Sequence, residues 1–295
     1  MEIPPMNILE YENTQEIKSH GLADFPFNIY LCSIPLDFSL VPPHWHNDME
    51  IIYVKKGKGQ VIVDLEPFTA NQGDIIVVPP GQLHSIEQLE DYSMEYENII
   101  FQLNMLMAVQ GDICTEKFFQ PLLQRQIGIP NHYMPDAPTY PILSGCLDAM
   151  DNICKAFSPG YEFAIKGQLF TFFHALISSA PALLPTHQNK SLDRLKDILK
   201  YVETNYSEKI SISDAAKICG FSQSHFMKFF KNNMAVSFTD YLNDYRLTMA
   251  ARLLISSSDT IVNVAAETGF DNLSYFNRLF KRKYGCTPTA FRNRS

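Results

Sequence analysis

The sequence predicts an α+β chain: an N-terminal β-barrel with flanking helices, followed by an all-α domain built from two similar helix pairs. Three observations predict it. Short apolar runs from Glu50 to Lys55, Gln60 to Leu65, Asp74 to Val78 and Ile99 to Leu103 are split by Gly57, Gly59, Gly73 and Gly81. Regular short strands with turn punctuation make a barrel or a sandwich. Two stretches with helical spacing follow, and the last third then repeats one pattern of markers twice.

Within the strand region lies a constellation with chemistry of its own, His44-x-His46-x-x-x-Glu50, followed by Gly73-x₅-Pro79-x-Gly81-x-x-His84. In a strand of period two, His44, His46 and Glu50 share parity and project to one face, as ligands of one metal ion must. The two stretches resemble the signature motifs of cupins, small β-barrel proteins, with Gln88 standing where the enzymes of that family carry Asn. The resemblance implies an effector pocket or a metal site at His44, His46, Glu50 and His84. The set suits Zn, Ni, Mn or Fe(II), and spacing does not choose among them. No cofactor is required for the preferred reading, in which the same groups hydrogen-bond a polar ligand between walls that include Trp45 and Tyr53. A divalent metal is the second reading.

Helical spacing covers Tyr140 to Phe157, with Leu143, Leu147, Met150, Ile153 and Phe157 on one stripe, and Glu162 to Ser179, which is apolar nearly all round. A helix of the latter kind needs cover on several sides. Ala180 to Asn189 holds two prolines and no helical period, marking a linker, and helix resumes at Ser191.

The repeated pattern is Ile212-x-x-x-Ala216-x-x-x-Gly220-Phe221 and Ile261-x-x-x-Ala265-x-x-x-Gly269-Phe270. In each copy the small Ala permits close packing and the Gly permits the positive φ of a tight turn. Ser222 in one copy, and Asp271 or Asn272 in the other, can cap the next helix. That helix carries Phe226 and Phe230, or Phe276 and Phe280, four residues apart, so one face is planted in a core and the other turns outward. Between the copies, Ser237 can cap a helix running to the turn-prone Ser256 to Asp259.

Charge singles out the same region. Residues 190 to 295 hold 9 Lys and 7 Arg against 10 acidic residues, net +6, while residues 1 to 189 are net −14. Such asymmetry points to nucleic acid. Residues 192 to 295 resemble the DNA-binding domain of AraC/XylS-type transcription regulators, on the two Gly-Phe turns, Tyr241-Leu-x-x-x-Arg246-Leu-x-x-Ala250, and Gly269-Phe-x-x-x-Ser274-Tyr-Phe-x-Arg278-x-Phe-Lys281-x-x-x-Gly285-x-x-Pro288-x-x-x-Arg292.

That resemblance implies two helix-turn-helix units placing recognition helices in successive major grooves, about one helical turn apart. The base-facing candidates are Ser224, Met227 and Lys228 in the first unit and Ser274, Asn277 and Arg278 in the second. Lys231, Lys281, Arg282 and Lys283 are assigned to phosphates. Arg suits guanine and Asn adenine, whereas Met offers apolar contact alone, so the second helix should discriminate more.

The expected organisation is a cupin-like effector-sensing barrel over 1–139, a helical dimerisation segment over 140–180, a linker over 181–191 and a double helix-turn-helix domain over 192–295. The expected function is a sequence-specific DNA-binding transcription regulator, not an enzyme, controlled by a small-molecule effector, with carbohydrate suggested by the resemblance alone. The partners are double-stranded promoter DNA, the effector, a second copy in a homodimer, and RNA polymerase if the protein activates; no membrane is expected. The rival reading is a metal-dependent cupin enzyme, an oxygenase or sugar isomerase, with a helical interaction module. The start Met-Glu-Ile-Pro-Pro lacks a basic and apolar leader, and the six cysteines show no metal or disulfide spacing, so a reducing cytoplasm is expected.

Overall fold

The computed structural model describes residues 24–38, 40–179, 190–234 and 236–293. The chain divides into two compact units. The first contains β1 (Phe27–Ile34), β2 (Leu40–His44), β3 (Met49–Val63), β4 (Glu66–Asn71), β5 (Ile75–Val78), β6 (His84–Glu87), β7 (Met94–Phe101) and β8 (His132–Tyr133). Its helices are α1 (Gln120–Leu123), α2 (Tyr140–Ala156) and α3 (Tyr161–Ser179).

β3 organises this unit because it belongs to two sheets. Its first half pairs with β5 and β7, and its second half with β4 and β6. The expected break at Gly57 and Gly59 is absent, and the strand runs through both. The register shifts between Val54 and Lys56, and Gly57 has φ +71°, where a Cβ would lie 1.9 Å from the Ser93 carbonyl oxygen. Glycine therefore permits a bulge that bends one continuous strand.

Alternation sorts the strands between two cores. Ile51, Ile75, Val77 and Ile99 face α2 and α3, packing against Leu147, Leu169 and Phe172. Their neighbours Ile52, Ile76, Val78 and Ile100 face the opposite side with Val61, Val63 and Tyr96. Both faces are covered, which is why these strands read as continuous apolar runs.

The second unit is helical: α4 (Lys190–Asn205), α5 (Ile212–Ile218), α6 (Gln223–Met234), α7 (Phe238–Ser256), α8 (Ile261–Glu267), α9 (Leu273–Tyr284) and α10 (Pro288–Arg292). Of the linker expected over 181–191, residues 181–189 lie outside the described residues, as does the chain start. Lys190 and Ser191 are already helical. The expected capping of α7 is present, with Ser237 accepting from the Asp240 amide at 3.2 Å. Its burial differs from a single stripe: Phe238, Leu242, Tyr245, Leu247, Thr248, Ala250, Ala251 and Leu254 are all buried. α7 is a shared spine, with α6 packed on it and α8, α9 and α10 packed on it as well.

No disulfide links the six cysteines. Among the described residues, no helix is long and apolar enough to cross a membrane.

Candidate functional site

The two helix pairs are built alike. Gly220 and Gly269 both adopt positive φ, +66° and +81°. Ser222 accepts from the His225 amide at 3.3 Å, and Asn272 accepts from the Tyr275 amide at 2.9 Å, so each second helix is capped from its turn. α5 carries a capping box as well, with Ser211 and Asp214 each bonding the other's backbone amide. Phe226, Phe230, Phe276 and Phe280 are fully buried.

This anchoring decides what α6 and α9 present. Ser224, Met227 and Lys228 are exposed on α6, and Ser274, Asn277 and Arg278 on α9. Arg278 lies over the Tyr275 ring at 5.3 Å, and the Tyr275 hydroxyl accepts from Asn243 of α7 at 3.1 Å. Tyr275 thus forms a platform beneath the guanidinium, a role the sequence reading missed. The signal was there, since His225 occupies the same place in the first copy, stacked on Phe221 at 4.1 Å. Both copies carry a ring just before the buried Phe.

The basic residues divide. Lys231, Lys281 and Arg282 are exposed. Lys283, expected at phosphate, instead bonds Asp244 through its carboxylate at 2.9 Å and its carbonyl at 3.2 Å, and Thr248 at 2.7 Å. Its place in the last turn of α9 turns it toward α7, so the geometry gives it a structural partner.

In the first unit, His44, His46, Glu50 and His84 are all buried and bring ligand atoms within 4.8 Å of one another. They do not share one strand, contrary to the parity argument. His44 ends β2, His46 lies in the following connection, Glu50 is in β3 and His84 opens β6. What unites them is pairing, with His84 opposite His44 in one ladder and opposite Val63 in another. Glu50 shares parity with Ile52 and Val54, facing the inner core. Tyr53, expected as a pocket wall, has the opposite parity and packs in the core beside α2 and α3.

The protonation chemistry of this cluster is constrained. Each histidine places Nδ1 against a backbone carbonyl: His44 at Pro42 (2.9 Å), His46 at Asp48 (3.0 Å) and His84 at Gln82 (3.0 Å). Carbonyls only accept, so Nδ1 carries the proton. Yet Glu50 Oε2 lies 2.8 Å from His46 Nε2 and 2.9 Å from His84 Nε2. Two such contacts to one oxygen require a second proton on at least one ring, with the other proton on the second ring or on the carboxyl, or else a cation among the donors in place of those protons. Burial pushes the Glu50 carboxyl up, but the His84 charge and the hydrogen bonds from His46 and His84 prevail and hold it well below the usual carboxylate range. Carbonyl partners that fix the tautomer are the ordinary outer shell of metal-bound histidine, so the donor set fits a divalent ion. A nearby cleft of about 190 Å³ is lined by Asp64, Gln82, Leu122 and Arg125, with Arg125 bonding Asp64 at 3.3 Å.

Comparison with known proteins decides the family. Residues 35–171 match the AraC-like ligand binding domain and residues 215–294 match a helix-turn-helix domain. The chain belongs to the AraC-type transcription regulators. It is 24% identical over 292 residues to YdeC, an uncharacterized HTH-type transcriptional regulator of Bacillus subtilis, covering 97% of this chain and 98% of that protein. To the transcriptional activator RhaS of Escherichia fergusonii it is 22% identical, over 93% and 96% of the two chains. It also matches SAS0078, an uncharacterized HTH-type transcriptional regulator of Staphylococcus aureus, at 31% identity over 83% of this chain and 31% of that longer protein. A solved AraC-type regulator from Chromobacterium violaceum aligns over 35% of this chain and 92% of its own, with 26% identity and a TM-score of 0.33. This AraC-type regulator is an effector-regulated DNA-binding protein and not an enzyme.

Proposed function

We propose that this AraC-type regulator reads two successive major grooves of promoter DNA through α6 and α9, with α9 supplying most of the base discrimination. The observation that supports this is the pairing of exposed Asn277 and Arg278 with a buried, capped helix back. Lys231, Lys281 and Arg282 contact phosphates. The test is competition binding against single-base variants of a selected site: Arg278→Ala relaxes preference at one base pair, whereas a uniform loss over all sequences makes it a phosphate contact.

A second copy completes the assembly. On α3, Phe163 is 84% exposed and Phe170 43%, and at Gly167 an added Cβ would meet nothing within 4 Å. We assign this face to a homodimer contact, which Phe163→Glu breaks in sedimentation while leaving the fold intact; an unchanged mass rejects it.

The buried His44, His46, Glu50 and His84 cluster serves as the effector-responsive site and holds a divalent metal, because that resolves the proton demand on Glu50 without a buried imidazolium ion and brings together ligand atoms that lie within 4.8 Å of one another. The metal supplies a charged anchor for a polar effector, carbohydrate being one class to try. Elemental analysis tests it directly: stoichiometric metal in the wild-type and none in His46→Ala supports it, and metal-free wild-type protein with an intact effector response returns the site to hydrogen bonding alone. The protein acts in the cytoplasm, and contacts RNA polymerase if it activates.

A further inference from the structure

Among the basic residues of the helical unit, Arg246 is turned inward. It projects from the middle of α7, and its Nε donates to the Tyr206 carbonyl and its Nη2 to the Glu208 carbonyl, both at 2.8 Å. Tyr206 and Glu208 belong to the connection between α4 and α5, the entrance to the first helix pair. The guanidinium also lies 5.9 Å from the centroid of Phe270, in the turn of the second pair. A Cβ on Gly269 would stand 2.6 Å from the Tyr206 carbonyl oxygen and 2.8 Å from Arg246 Nε. At Gly220, the equivalent residue of the first pair, a Cβ would meet nothing within 4 Å. The entrance of one pair, the spine and the turn of the other therefore meet at one planar cation.

We infer that Arg246, seated against Gly269, is the positioning residue that fixes the phase between the two recognition helices, and so sets the spacing of the two DNA segments that the protein accepts. The inference rests on the two-groove reading above and deepens it. A guanidinium suits this task because its fork is rigid and holds two carbonyls at once, whereas an ammonium on a flexible stem does not fix their relation. Neither helix needs to change the bases it prefers for the spacing to change. One inserted base pair turns the second groove by roughly 35° about the DNA axis, so a rigid pair of readers must reject it.

The test uses the full chain and duplexes that the wild-type protein selects from a random pool, re-synthesised with one or two base pairs inserted or deleted between the two contacted segments. Affinity at each spacing is divided by that at the selected spacing, so any difference in folded fraction cancels. Wild-type should lose about tenfold or more for one base pair, the scale of one lost bidentate contact. Arg246→Met should flatten that penalty to about threefold or less while protecting the same bases within each segment. Arg246→Lys should give an intermediate profile, and it supplies the reading if the Met variant does not fold. Gly220→Ala, which strains the backbone without touching this contact, should keep the wild-type profile. A wild-type profile in the Lys or Met variant overturns the role of Arg246 alone. A wild-type protein that shows no spacing preference overturns the two-groove reading and this inference with it.

Discussion

The two helix pairs share a backbone plan and differ in what surrounds it. Each has a positive-φ glycine, a capped second helix and two buried phenylalanines. The first presents Ser224, Met227 and Lys228 from a turn whose glycine faces open space. The second presents Asn277 and an Arg278 supported on Tyr275, from a turn seated against α7 and the first pair's entrance. A repeat thus conserves the solution to folding one unit, while the contacts that distinguish the copies come from their place in the whole. The turn of the second pair is tied to distant segments through Gly269, and Gly220 in the first has no such neighbour within 4 Å of an added Cβ.

The largest effect tests where the copies are equal. Phe230→Ala and Phe280→Ala each remove a fully buried ring and should cost about 3–5 kcal/mol, seen as matched shifts in denaturant midpoint. A large inequality would mean that one pair is barely coupled to the core.

Next comes the glycine comparison. Gly220→Ala should cost about 1 kcal/mol from positive φ alone. Gly269→Ala adds a clash with backbone and should cost roughly 2–3 kcal/mol. Equal losses would show that the contact around Gly269 relaxes freely.

Base discrimination follows. Arg278→Ala should lower preference at one base pair by about 1–3 kcal/mol, and Met227→Ala by less, in competition binding. The reverse order would make the first pair the main reader.

The smallest effect is in salt dependence. Lys281→Ala and Arg282→Ala should each reduce the slope of log affinity against log salt by about 0.9. Lys283→Ala should leave that slope unchanged, because its ammonium is held by Asp244 and Thr248.

Much of this was legible in the sequence for local reasons. Positive φ at Gly220 and Gly269, caps at Ser222, Asn272 and Ser237, and the buried Phe pairs each depend on residues within a few positions of one another. So does the alternation that sends Ile51 and Ile52 to different cores. His44, His46, Glu50 and His84 do lie together in the first unit, but the reason the sequence offers, shared parity along one strand, does not hold across the connection after β2.

What the sequence determined by itself was the set of pieces: strand runs, two matching helix pairs, an acidic first part and a basic tail. Tertiary structure decided which distant groups meet. It brought His84 across from β6 to Glu50, drew Lys283 onto α7, buried α7 on more than one side, and set Arg246 between the two pairs. The physical reason is range: propensity, capping and periodicity act over one or two turns of chain, whereas pairing register and side-chain ties exist only once separated segments have packed.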